Sequence, residues 1–345
     1  DYRELHVVAA GSLLEFALKD LSSFGVGRVS SLFVYPMSFD EFLLATGQQG
    51  LWRAKQDSNS SHPLLKAFYE KLVEAFRSFM LVGGMPEAVA AYAQTGSYRA
   101  SSDIVNEILQ GYEDDFAKYS AKANPVLLRQ TLVSVAHQVG AKFVYSRVEG
   151  QYRSAEVKTA LEMLRDAGLI IPAYHTDANG IPLGAEINER VVKYLVHDSG
   201  ILLALLGIDD DTESLIKELM VENVVDLVDK GNVAEMIAGL EIMKCYSPQK
   251  RHQLYYWQNM NKGTCAEVDY IIAQGSRIVP IEVKSGVKGS MSSMYSLMKN
   301  PQKHIGRGVR CSLENFGSFL SPDGKTIDII PLFAISSLFP CSRQE

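Results

Sequence analysis

The sequence predicts an α+β multi-domain protein. Three observations predict this class. The chain has 345 residues, which is more than one compact core of ordinary size needs. A central stretch, residues 62–124, follows helical spacing, whereas the chain after Gly231 alternates helices with short apolar strands. Hydrophobic residues make up 47% of the chain and charged residues 21%, a composition typical of a folded globular protein.

Residues 1–50 begin with two apolar segments that we interpret as strands, LHVVAAGS and VSSLFVY. The second ends at Pro36, after which Ser38 can cap a helix that starts FDEFLL. Glu41 stands three positions after Ser38 and completes a capping box. Because strand-like sequence begins almost at the first residue, we expect the chain to start inside a domain.

The next two units differ in their order of elements. Residues 62–124 predict a helical connector. Residues 125–207 predict a winged-helix-like unit, in which helices precede two short strands, LIIPAYHT and IPLGAEINE, joined at the turn DANG. The outward face of its third helix carries Lys158, Glu162 and Arg165 and is nearly neutral. This helix could therefore read DNA or serve in packing, and the sequence favours neither.

Residues 208–345 predict a mixed sheet flanked by helices, with candidate chemistry on two neighbouring strands. Residues two apart on a strand face the same side, so Glu282 and Lys284 of RIVPIEVKSG project together. The preceding strand, CAEVDYII, brings Asp269 to the same place. Paired carboxylates are typical ligands of Mg2+ or Mn2+, and a lysine beside them suits phosphodiester hydrolysis. The pattern resembles the core of PD-(D/E)xK nucleases, although an exposed Glu and Lys pair on a strand also arises as a plain solvated face.

The charge of the chain is unevenly distributed. The formal net charge is -6, yet residues 244–310 contain eleven Lys or Arg and three acids, which gives +8 for that stretch. The three acids are Glu267, Asp269 and Glu282. This asymmetry predicts a local basic surface able to meet the phosphates of DNA.

Other features exclude competing classes of site. The four cysteines show no CxxC spacing, and the seven histidines show no HxxH or HExxH spacing, so neither zinc nor a disulfide framework is indicated. No apolar run approaches the roughly 18 residues that a membrane helix needs. We therefore expect a cytoplasmic protein with reduced thiols and no membrane contact.

Nearly the whole chain resembles the C-terminal portion of a prokaryotic family of predicted AAA-type ATPases joined to domain of unknown function 4143. The motifs that carry the resemblance are PMSFDEFL, LVGGMPEAV, VKYLVHDSGILLALLG, YYWQN, EVDYII and IVPIEVKSG. The resemblance implies that residues 1–50 are the remnant of a P-loop domain, in which Ser12 and Arg28 would lie near the nucleotide. It also implies a nuclease-like site formed by four residues of the C-terminal domain: Glu235, Asp269, Glu282 and Lys284, with Asp269 and Glu282 as metal ligands.

One departure from this family bears on activity. The sequence contains no GxxxxGK[ST] motif, so we expect ATP to bind only in a full-length protein with a P-loop. The expected protein partners are the missing P-loop domain or a second copy of this chain in a homo-oligomer. Two functions follow as alternatives. The C-terminal domain cleaves DNA with a divalent metal, or it is a catalytically silent module that binds DNA or protein and regulates the ATPase.

Overall fold

The structure is a computed structural model that describes residues 6–11, 29–118, 124–208, 230–259, 266–286 and 289–339. Within these ranges helices and two mixed sheets are present, which confirms the α+β class. None of the helices in the described ranges is long and apolar enough to cross a bilayer.

The first half of the described chain is helical. Its elements are α1 (Phe39–Ala45), α2 (Gln49–Gln56), α3 (Lys66–Val82), α4 (Pro86–Thr95) and α5 (Tyr98–Ala117). Helix α1 begins as the sequence predicts, because the Ser38 hydroxyl accepts from the Glu41 N–H at 3.3 Å and the Glu41 carboxylate accepts from the Ser38 N–H at 2.7 Å. These reciprocal bonds satisfy two donors at the start of the helix.

The two N-terminal strand predictions are wrong where the structure describes them. Residues 6–11 and 29–35 form no strand, and their valines are largely exposed. The second segment is instead held by isolated bonds: the Phe33 N–H donates to the Pro248 carbonyl at 2.8 Å. An apolar run becomes a strand only when a neighbouring strand supplies a ladder of partners, and none of the described strands lies beside this segment.

The segment predicted as a winged helix, residues 125–207, contains two α-helices before a hairpin and a third α-helix after it. Its elements are α6 (Pro125–His137), α7 (Ser154–Asp166), β1 (Ile170–Thr176), β2 (Ile187–Val196) and α8 (Ser199–Leu205). Between α6 and α7 there is a single helical turn, Tyr145–Arg147. The second strand begins later than predicted, because Leu183–Glu186 forms a 3-10 turn. Strands β1 and β2 pair in antiparallel fashion.

The C-terminal region follows the predicted alternation of helix and strand. Its elements are α9 (Lys230–Lys244), β3 (Leu254–Gln258), β4 (Glu267–Val268), β5 (Tyr270–Gln274), β6 (Arg277–Val283), α10 (Ser292–Lys299), β7 (Arg307–Ser312), β8 (Gly317–Leu320), β9 (Thr326–Pro331) and a final 3-10 segment, Leu332–Leu338. Asp269 lies between β4 and β5, at a break in what would otherwise be one strand. Strand β8 was not predicted.

The two sheets have the orders β2-β1-β3-β4 and β5-β6-β7-β9-β8. In the first, β1 pairs with β3 in parallel, with Ala173 opposite Leu254. In the second, the hairpin of β5 and β6 is antiparallel, while β6, β7 and β9 run parallel. The hairpin of the winged-helix-like segment and the first strands of the C-terminal region therefore form one sheet.

Helix α9 approaches the sheet closely at Gly239. A Cβ atom at this position would clash with the Tyr270 hydroxyl and would lie 2.8 Å from Tyr270 Cζ and 2.6 Å from Leu195 Cδ2. The same hydroxyl donates to the Glu235 carbonyl at 2.8 Å, and Tyr270 is fully buried. Glycine at 239 thus lets the helix that carries Glu235 rest directly on the strand that follows Asp269.

A second close approach joins the helical segment to α8. The buried Asp198 carboxylate accepts from the Gly84 N–H at 2.6 Å and from the Ile201 N–H at 3.1 Å. Gly83 has a φ of +78°, and a side chain there would meet Asp198 and the Gly200 nitrogen. The glycine pair therefore serves a turn packed against Asp198, as its position before the Pro86 helix indicates.

Candidate functional site

Strand β6 holds the motif from which the site is built. Glu282 is 5% exposed on this strand, and Lys284 follows at its end. The Lys284 ammonium donates to Glu282 Oε1 at 2.6 Å, so the two side chains project to the same side, as predicted. The Lys284 N–H also donates to the Cys311 carbonyl on β7 at 2.7 Å, which fixes the backbone at this position.

Asp269 reaches the same place from the neighbouring strand. Its carboxylate accepts from the Val283 N–H at 2.7 Å, a bond made available by the break between β4 and β5. The hairpin of β5 and β6 sets the register, with Tyr270 opposite Ile281. The predicted meeting of Asp269 with the Glu282 and Lys284 pair is therefore present in the fold.

Two further carboxylates complete an acidic cluster. Glu235 comes from α9 and Glu267 from β4. One carboxylate oxygen from each of Glu235, Glu267 and Asp269 lies within 4.8 Å of the other two. This triplet differs from the predicted metal pair of Asp269 and Glu282: Glu267 belongs to it, and Glu282 lies beside it with Lys284. We use the name acidic cluster for Glu235, Glu267, Asp269 and Glu282.

Sequence reasoning missed a lysine at this cluster. Lys193 of β2 is 3% exposed, and its ammonium donates to Glu235 Oε1 at 2.8 Å and also to the Glu267 carboxylate. It lies 5.0 Å from the centre of the Tyr256 ring. A signal existed in the sequence, because a lysine inside the apolar run VVKYLV is out of place unless it is paired.

Burial and mutual repulsion shift the pKa values of the cluster. Burial, with a further contribution from the charge of Asp269, raises the pKa of Glu282 to about 7. Burial also raises the pKa of Glu235 to about 8 against the opposing effect of Lys193, and it raises the pKa of Asp269. Burial acts to lower the pKa of Lys193, but the charges of Glu235 and Glu267 outweigh it and raise that pKa. Four carboxylates against Lys193 and Lys284 leave an excess of two negative charges when all are ionised, which adds to the effect of burial on Glu235, Asp269 and Glu282.

One acceptor of the cluster has no partner within the described chain. Glu282 Oε2 is buried and receives no hydrogen bond, whereas Oε1 is bonded to Lys284. The front of the cluster is reachable from solvent, since the Glu267 and Lys284 side chains are 31% and 22% exposed. The arrangement can thus accept a cation from outside, with Glu235 and Glu282 behind and Glu267, Asp269 and Lys284 in front.

The predicted basic surface is smaller than the sequence count indicates. Four cations of residues 244–310 form ion pairs with acids of the fold: Lys244 with Glu241, Arg251 with Asp166, Arg307 with Asp328, and Arg310 with Glu314. All four acids lie outside the counted stretch: Asp166 and Glu241 precede it, and Glu314 and Asp328 follow it. Lys262 and Lys288 lie outside the described residues. Half of the excess of +8 is therefore neutralised by acids outside the stretch.

The remaining predicted residues are the nucleotide-site pair and the charged face of one helix. Ser12 and Arg28, named as nucleotide-site residues, lie outside the described residues. On α7, the helix predicted to be the third of the winged-helix-like segment, Lys158 lies 3.9 Å from Glu162 and Arg165 pairs with Asp166 at 2.9 Å. That face has its charges matched, as the sequence indicates.

Comparison with protein families matches two parts of the chain. Residues 230–334 match the family described as domain of unknown function DUF4143, and residues 73–212 match the family described as domain of unknown function DUF8612. The first match confirms the DUF4143 part of the resemblance and contains the whole acidic cluster; Lys193 lies in the second. No curated protein and no solved structure matches the chain.

Proposed function

We propose that the C-terminal region is a PD-(D/E)xK-like phosphodiesterase that cleaves DNA with the help of Mg2+ or Mn2+. The observation that carries the proposal is the convergence of four carboxylates and Lys284 at one half-open place, with a buried oxygen of Glu282 that lacks a partner. Oxygen-rich sites with excess negative charge are those that hard divalent cations prefer.

The residues divide into holding and positioning groups. Asp269 and Glu282 would hold the metal ion, with Glu235 and Glu267 close enough to contribute. A bound divalent ion would polarise a phosphate oxygen and a nearby water. Lys284 lies at the exposed side of the cluster, where its ammonium can orient the attacking water and offset charge on the phosphate.

The choice of DNA as substrate rests on the resemblance to the nuclease pattern. The alternative, a catalytically silent module that binds DNA or protein, is favoured by two observations: Lys193 already neutralises part of the cluster, and half of the counted basic excess is paired within the fold. Cleavage and binding must therefore be measured separately.

The proposal is tested by incubating plasmid and single-stranded DNA with the purified chain and Mg2+ or Mn2+. We expect cleavage by the wild-type chain and its loss in the Asp269→Ala and Lys284→Ala variants. Matched controls are Glu70→Ala and Lys66→Ala, which remove an exposed acid and an exposed lysine from α3. Metal-independent binding of DNA with cleavage no greater than in the Asp269 variant would support the silent module and contradict the nuclease.

A further part of the proposal concerns the assembly. DUF4143 is often found with AAA-type ATPases, so we propose that the region works with a P-loop ATPase domain and that ATP acts through that domain. Since the sequence lacks the phosphate-binding loop, titration of this chain with ATP should show no tight binding. Sub-micromolar ATP affinity would contradict this part.

A further inference from the structure

Lys193 contacts the acidic cluster, but the proposed chemistry does not use it. Its ammonium is enclosed by the Glu235 and Glu267 carboxylates and by the face of Tyr256. A buried lysine pairs in this way only at a large desolvation cost, which its two acidic partners offset. The lysine therefore acts as a fixed positive charge within the cluster.

An ammonium already occupies part of the triplet. Lys193 donates to Glu235 and Glu267, two of the three carboxylates whose oxygens lie within 4.8 Å of one another. The third carboxylate, Asp269, accepts from the Val283 N–H instead. The side of the cluster formed by Glu235 and Glu267 is therefore already occupied by a cation, and Asp269 is not bonded to it.

The carboxylate oxygen that can still accept a cation belongs to Glu282, on the other side of the cluster. Glu282 is 5% exposed, and its Oε2 atom accepts no hydrogen bond from the described residues. The charge of Asp269 acts on Glu282, and Asp269 itself is half-buried. With Lys193 and Lys284 charged and all four carboxylates ionised, the excess of two negative charges matches one divalent ion.

We propose that Lys193 is the resident cation of the acidic cluster and restricts it to one divalent ion, bound on the side of Asp269 and Glu282. The inference rests on the proposed metal function and specifies how many ions the site takes. It also assigns a role in the site to β2, which lies outside the region matched by DUF4143. The number of bound ions is then set by a residue of the winged-helix-like segment.

The test is a titration of the full chain with Mn2+, in which free ion is measured by electron paramagnetic resonance. We expect the wild-type chain to bind one ion in the cluster and Asp269→Asn to lose it. Lys193→Met should bind a second ion, or bind the first at least about tenfold more tightly, because a repelling charge of one unit is removed. Lys193→Arg keeps the charge and should bind one ion like the wild type.

The outcomes separate the two proposals. One ion of unchanged affinity in Lys193→Met would overturn the role of Lys193 and leave the proposed function intact. Absence of Mn2+ binding from both the wild type and Lys193→Met would overturn the metal function and this inference with it. If Lys193→Met does not fold, Lys193→Gln removes the charge while its amide still donates to the two carboxylates, and the same titration of that variant decides.

Discussion

Substitution of Gly239 by alanine tests whether close contact between α9 and the sheet positions the candidate site. Glycine inside a helix normally costs about 0.5–1 kcal/mol relative to alanine, so the exchange alone would stabilise the chain. At Gly239 the added methyl would meet Tyr270 and Leu195 at distances well inside van der Waals contact, which for carbon is about 3.5–4.0 Å. Overpacking of this kind costs about 1–3 kcal/mol.

Gly111 provides the matched control. It lies inside α5, and a Cβ atom there would meet nothing within 4 Å. Since the helix-propensity gain is common to both variants, Gly111→Ala should exceed Gly239→Ala in free energy of unfolding by about 1–3 kcal/mol, the overpacking cost alone. Urea denaturation followed by circular dichroism gives the free energy of unfolding of both variants. The two values are compared when the dependence of that free energy on urea concentration is the same in both. Equal stability of the two variants would refute the close-contact argument.

Three other substitutions probe buried polar groups, each measured by urea denaturation. Asp198→Ala leaves two buried N–H donors without an acceptor and should cost about 2–6 kcal/mol. Its control, Asn124→Ala, removes an exposed helix cap and should cost about 0.5–2 kcal/mol. Similar losses in the two variants would contradict the burial argument. Tyr270→Phe removes the donor to the Glu235 carbonyl and should cost about 1–3 kcal/mol, and no loss would show that the bond is dispensable. For His197, burial lowers the pKa below its ordinary value, so its contribution to stability is present above about pH 6.5 and falls as the pH drops through the folded pKa. Wild-type stability relative to His197→Asn should therefore decrease between about pH 7.5 and about pH 5.5, and a constant difference would contradict the assigned shift.

The parts of the site that could be predicted depend on local rules. The period of two in a strand places Glu282 beside Lys284, and a short turn between neighbouring strands brings Asp269 to them. The capping box at Ser38 is equally local, since both of its bonds lie within four residues. In each case the residues that interact are close together in the sequence, so the local pattern is enough to predict their contact.

The parts that could not be predicted depend on contacts between distant segments. Lys193 stands 42 positions before Glu235 and 74 before Glu267, and the periodicity of β2 does not indicate which acids it meets. The same limit explains the wrong strand over residues 29–35. Its apolar residues satisfy the pattern of a strand, but strand formation also requires a neighbour that the pattern does not name.

The parallel pairing of β1 with β3 has a consequence for how the chain can be divided. The two family matches end and begin at residues 212 and 230, and a division there separates β1 from β3. Each piece would then carry an exposed strand edge with unpaired N–H and C=O groups, which promotes aggregation. The piece with Glu235 would in addition have a buried carboxylate without its lysine. The boundary between the two family matches is thus not a boundary between independently folding units. Because one sheet crosses it, we expect either half to be difficult to express alone.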